Sequence, residues 1–233
     1  MDFWIDLALG PMFTIAAAVF VLGLGYRFIA LLVQLVQAWR RAGDPRVPVG
    51  DVARATLGWV VPRRLLSQRP VAGVASVLFH FGVVLVPIFL AGHAALLFGG
   101  IPAWWPVMPA VLADVLTLLA VAAALVLFIG RVGSRTARHL TRVSDLVLLA
   151  AIVVVLLSGF FSVHAAVAPF SARTMVLIHA LAGNLLLIAI PVSTVAHCVL
   201  FPLSQLVFQL GWHFPAASGR HVAQALGKEN EPV

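Results

Sequence analysis

Residues 178–202 read IHALAGNLLLIAIPVSTVAHCVLFP, an almost wholly apolar run long enough to cross a bilayer, with His179 near one end and His197 near the other. The two histidines are eighteen residues apart. On one continuous helix that separation is about five whole turns, so both imidazoles would leave the same face, roughly 27 Å apart along the axis. Ionisable side chains are costly at membrane depth and usually face a partner inside the bundle. The spacing therefore predicts two ligand sites, one near each membrane face. Residues 78–93, LFHFGVVLVPIFLAGH, carry His80 and His93 in the same arrangement. Four histidines on two helices can supply two bis-histidine haems stacked across the membrane.

The composition sets the class. Hydrophobic residues make up 62% of the 233-residue chain and charged residues 10%, which leaves too little polar surface to cover a soluble domain of this length. The apolar runs do not alternate with polar residues, which excludes a β-barrel and predicts an all-α, polytopic membrane protein. The lone cysteine, Cys198, excludes an internal disulfide, a four-thiolate iron–sulfur cluster and a CxxCH haem attachment, so any haem is b-type and held non-covalently. The first apolar run lacks a basic flank and a cleavage site and reads as a retained span.

Five spans are expected, at 11–37, 74–98, 110–129, 145–166 and 174–200, as one membrane domain over residues 1–202. Pro87 is expected to kink the second, and Ser144 to cap the fourth ahead of Asp145. Residues 51–61 read as a short interfacial helix. Residues 203–233 read as a cytoplasmic tail, apolar at first and lying along the membrane surface, then polar and disordered. Seven arginines lie between the first two spans and four follow the third, whereas Arg173 stands alone on the other side. The positive-inside rule then places the N-terminus outside and the C-terminus in the cytoplasm, in the inner (cytoplasmic) membrane. It also accounts for the net charge of +7 without nucleic acid.

In this topology His80 shares the depth of His197 near the cytoplasmic face, and His93 that of His179 near the outer face, so each pair can clamp one haem iron. The thirteen residues between His80 and His93 turn an ideal helix about 220° beyond whole turns, which sets the two on different faces unless Pro87 alters the winding. Gly82, Gly92 and Gly183 lie beside the histidines and leave room for a macrocycle. His139, His213 and His221 read as solvated surface. His164, at the outer end of the fourth span, is either an interfacial residue or a proton acceptor for a quinol, and Asp114 has the same two readings. Gly92 joins them as a candidate quinone-site residue. Trp104, Trp105 and Met108 are candidate pocket walls, or interfacial anchors. Arg27 either snorkels to the interface or pairs with a haem propionate.

The chain resembles the gamma subunits of respiratory nitrate reductases, five-span dihaem cytochromes b. The resemblance rests on His179, Gly183, Pro191, Ser193 and His197, on the LFHFG element at His80, and on Gly92-His93. Looser matches are Tyr26-Arg27 and Ser144-Asp145, within residues 5–205. It implies two haems b, an outer one on His93 and His179 and an inner one on His80 and His197. It further implies oxidation of a quinol (menaquinol or ubiquinol) near the outer haem, and electron delivery to a cytoplasmic iron–sulfur subunit. The connector after the first span is longer and more basic than in that family, and Lys228 is the sole lysine. These departures point towards relatives that serve heterodisulfide-reductase-like iron–sulfur proteins. The competing expectation is a haem-free anchor, assembly subunit or transporter whose histidines tie helices together. Five spans without an internal repeat disfavour a transporter.

Overall fold

The computed structural model describes residues 1–42, 49–60, 63–211 and 218–229, and no strand occurs among them. The helices are α1 (Asp2–Leu7), α2 (Phe13–Ala42), α3 (Val49–Val60), α4 (Arg63–Gln68), α5 (Pro70–Phe89), α6 (Ala91–Phe98), α7 (Ala110–Gly133), α8 (Arg135–Leu140), α9 (Val143–Val163), α10 (Ala172–Ala189), α11 (His197–Gly211) and α12 (Ser218–Ala225). Six segments are long and apolar enough to cross a membrane by length and composition: Asp2–Arg40, Pro70–Phe89, Ala110–Gly133, Val143–Val163, Ala172–Val192 and Thr194–Gly211. The protein is a multi-pass helical membrane protein. Its contacts divide it into two units, residues 1–21 with 64–194, and residues 22–63 with 195–233.

In the first unit α5 packs on α7 and α9 on α10. Lipid gives apolar helices no solvent-driven reason to associate, so close contact depends on small side chains. On α7 the buried residues Ala113, Thr117, Ala120 and Ala124 recur at helical spacing and form one smooth face. Gly82 of α5 lies against it, where a Cβ would fall 2.5 Å from the Ala120 Cβ and 2.6 Å from the Leu116 carbonyl oxygen. Gly82 is thus a helix–helix contact and not a haem clearance. Pro11 is absorbed by a π-helical turn, Ala8–Met12, between α1 and α2. The buried Asn184 of α10 donates its Nδ2–H to the Ala8 carbonyl of that turn at 2.8 Å. At the start of α10, Arg173 is paired with Asp2.

In the second unit α3, somewhat longer at its start than the interfacial helix expected at 51–61, packs on α11. Val52 and Thr56 on α3 are buried, as are Leu200 and Leu210 on α11.

Several boundaries differ from the sequence reading. The first apolar segment starts at Asp2, because Pro11 costs only a π turn and not the helix. The second segment breaks at Leu90, whose extended backbone (φ −71°, ψ 131°) separates α5 from α6; Pro87 stays inside α5. Residues 174–200 are not one helix. The chain leaves α10 at Ala189, passes through short 3-10 turns at Ile190–Val192 and Thr194–Ala196, and resumes as α11 at His197. Pro191, which lacks an amide donor, lies in the first of these turns, so the five-turn register drawn between His179 and His197 does not hold. As a result α11 adds a sixth apolar helix where a surface tail was expected from 203. Ser144 is not the cap of α9: Arg142 is, and its amide donates to Asp145 Oδ2 at 3.3 Å. Residues 218–225 of the polar tail are helical as α12. His213 lies outside the described residues.

Candidate functional site

The break at Leu90 frees carbonyls that a continuous helix would have used, and two residues of the loop after α6 take them up. The Trp105 indole N–H donates to the Ile88 carbonyl at 3.1 Å, and the Met108 amide donates to the Phe89 carbonyl at 2.8 Å. Trp105 also packs among Phe89, Phe98 and Trp104. Trp105 and Met108 thus secure a broken helix. With α6 started afresh, the phase calculated over the thirteen residues from His80 no longer governs where His93 points.

His93 on α6 meets His179 on α10. Their Nε2 atoms are 3.4 Å apart, and the rings meet end to end, with centroids 5.8 Å apart and planes 24° from parallel. His179 is set from behind by α9: its Nδ1 lies 2.9 Å from the Val155 carbonyl and 3.5 Å from Ser158 Oγ. A carbonyl only accepts, so Nδ1 carries the hydrogen and a neutral ring turns a bare Nε2 lone pair towards His93. The nearest acceptor to His93 Nδ1 is the Val86 carbonyl, at 3.5 Å. A metal-ligating histidine usually has its other ring nitrogen hydrogen-bonded to a carbonyl or carboxylate, as His179 does. A linear bis-imidazole site needs about 4 Å between nitrogens, from two bonds of about 2 Å. The observed gap is close to that.

Gly159 makes the approach of His179 possible. A Cβ there would stand 2.9 Å from His179 Cε1 and 3.0 Å from Nδ1. Neither Gly159 nor Ser158 was singled out from sequence; a small pair inside an apolar helix was the available signal. Gly92 and Gly183, which neighbour the two histidines in sequence, have nothing within 4 Å of where a Cβ would be. This open space is compatible with a flat macrocycle.

The structure also joins two residues that the sequence had offered separately. His164 Nε2 lies 3.3 Å from Asp114 Oδ2, joining the C-terminal end of α9 to the first turns of α7. His164 Nδ1 is 2.9 Å from the Phe160 carbonyl, and its ring stacks on the Phe160 ring with centroids 4.1 Å apart.

His80 on α5 is half-buried, with Nδ1 2.7 Å from the Ser76 carbonyl, so it too has one nitrogen anchored on backbone. His197 opens α11 and is exposed, with Nε2 3.8 Å from Cys198 Sγ. Arg27 is exposed on α2, and His139 and His221 are exposed as expected.

Fold and site together define a multi-pass helical membrane protein with a histidine pair between two of its helices and a histidine–carboxylate pair between two others. A protein of Nitratidesulfovibrio vulgaris (strain Hildenborough), which bears only the name "Protein", is 34% identical over 218 residues, 90% of this chain and 93% of the relative. The chain belongs to the same family as that protein. No protein-family model matches the chain, and no solved structure does.

Proposed function

We propose that the protein is a dihaem cytochrome b subunit that carries electrons between the quinone pool and a cytoplasmic iron–sulfur partner, in the direction of quinol oxidation. The observation that carries this reading is the His93–His179 pair, with Nε2 atoms 3.4 Å apart and His179 anchored through Nδ1. Haem, when bound, would supply one-electron chemistry; the chain would supply the imidazole ligands and the shape around them. His93 and His179 would hold one haem, for which Gly92 and Gly183 leave clearance. The second haem, on His80 and His197, is proposed from the sequence, as is a propionate role for Arg27.

For topology we propose five spans, with the N-terminus outside and the basic segments in the cytoplasm of the inner membrane. The sixth apolar helix, α11, is the least apolar of the six candidates, and α3, against which it packs, is too short to cross. Both would lie along the cytoplasmic face, beside the arginine-rich connector.

The rival reading is a haem-free anchor in which a neutral His93 donates Nε2–H to His179 and ties α6 to α10. The 3.5 Å separation of His93 Nδ1 from its nearest carbonyl favours it, because a bond that long holds the tautomer weakly. A reduced-minus-oxidised spectrum with haem quantitation on the detergent-purified protein decides between them. About two b-type haems per chain are expected. A folded, haem-free sample from a haem-replete host overturns the cytochrome reading.

A further inference from the structure

The pair formed by His164 and Asp114 has a protonation problem that points to its use. The Phe160 carbonyl, 2.9 Å away, requires a hydrogen on His164 Nδ1, so a neutral ring would set a bare Nε2 lone pair against the Asp114 carboxylate at 3.3 Å. Two acceptors do not face each other at that distance without a proton between them. The closed pair therefore holds one proton more than a neutral imidazole beside an ionised carboxylate. Its unloaded form carries one negative charge and is a proton acceptor.

Its position suits a redox ligand. The His179 ring rests on Gly159 of α9, and His164 caps the same helix five residues on, about 7.5 Å further along its axis and about 140° round it, on the side that meets α7. Both side chains are about one-third exposed (37% for His164 and 33% for Asp114), so the pair is not sealed inside the protein. The stacked Phe160 ring fixes the imidazole plane. The other titratable groups at this end of the first unit are already engaged, His93 with His179 and Arg173 with Asp2; Asp6, on α1, is exposed.

We infer that Asp114 and His164 form the proton-accepting pair for a membrane hydroquinone bound beside the His93–His179 site. The inference rests on the cytochrome reading and deepens it. For each hydroquinone oxidised, two O–H bonds break and two electrons leave to ferric haem, one to each of two irons. The pair first releases the proton it holds to water; one hydroquinone proton then re-forms the N–H bond at His164 Nε2, where the Asp114 carboxylate stabilises it, and the other passes to water.

The test uses the full-length protein in detergent, with decylubiquinol and menadiol as reductants and the rate of haem reduction as the readout. Asp114→Asn and His164→Phe are expected to slow hydroquinone-driven reduction about 100-fold. Haem content, midpoint potentials and full reduction by dithionite should stay unchanged, and Asp114→Glu should recover most of the rate. Independently of turnover, the ¹⁵N spectrum of His164 should show both ring nitrogens protonated in the resting protein, and Asp114→Asn should return the ring to a single tautomer. Wild-type rates in both variants, or a His164 signal indifferent to Asp114→Asn, overturn the inference. A wild-type protein whose haem is reduced by dithionite but by neither hydroquinone overturns the quinol reading itself, and that result appears before any variant is made.

Discussion

His93 Nε2 faces His179 Nε2 at 3.4 Å, although α7, α8 and α9 intervene in the chain between their helices. Two departures from regular packing bring them together. The backbone break at Leu90 lets α6 set its own direction, and Gly159 lets the His179 ring lie against α9. Neither ring can be moved far without loss of the other's partner.

If the pair holds one haem, His93→Ala and His179→Ala should remove the same haem. Each single variant, and the double variant, is expected to fall from about two haems per chain to about one in a pyridine haemochrome assay. If the pair only ties helices, the loss is a transmembrane hydrogen bond, about 0.6 kcal/mol on average. Haem content indifferent to both substitutions would end the ligand assignment.

Gly159→Ala tests the positioning of His179 from the opposite helix. The added methyl would stand 2.9 Å from Cε1, so the ring must shift and loosen its 2.9 Å contact with the Val155 carbonyl. Weaker haem retention on dilution is expected, together with a changed low-spin electron paramagnetic resonance signal. Gly130→Ala on α7, where a Cβ meets nothing within 4 Å, is the matched control and should behave as wild type.

Much of this arrangement was legible in the sequence. Apolar run lengths gave the helical membrane class, and depth matching joined His93 to His179, because both follow from composition and periodicity. Helix continuity was not legible. Pro87 lies within α5, and the break falls three residues on at Leu90, which has no distinguishing side chain, because the loop residues Trp105 and Met108 supply the donors that make it tolerable. Periodicity likewise carried one helix through Pro191 to His197, where the backbone instead turns. His164 and Asp114 drew attention singly, but their pairing depends on the packing of α7 against α9, which no local pattern encodes.

Trp105→Phe keeps an aromatic ring among Phe89, Phe98 and Trp104 but removes the donor to the Ile88 carbonyl. The bond is exposed, so its loss costs the net worth of an ordinary hydrogen bond, about 0.5–1.5 kcal/mol, and not the penalty of a buried orphan. A loss of about 1 kcal/mol is expected in detergent unfolding, with α6 the first segment to gain hydrogen exchange. Stability equal to wild type would show that the break at Leu90 needs no indole.

Gly82 and Gly183 both seemed to offer clearance for a macrocycle, and substitution separates them. At Gly82 even a methyl would reach 2.5 Å from the Ala120 Cβ and 2.6 Å from a backbone oxygen that cannot retreat, so Gly82→Leu should prevent α5 from seating on α7 and leave little folded protein. At Gly183 nothing lies within 4 Å, so Gly183→Leu should yield a folded, monodisperse apoprotein with wild-type helicity. If a macrocycle uses that space, the same variant should lose the haem held by His93 and His179, although neither ligand has been touched. Size-exclusion chromatography with haem quantitation reads both effects in one experiment. Full haem content in Gly183→Leu would mean that the open space beside His179 faces lipid and not a cofactor.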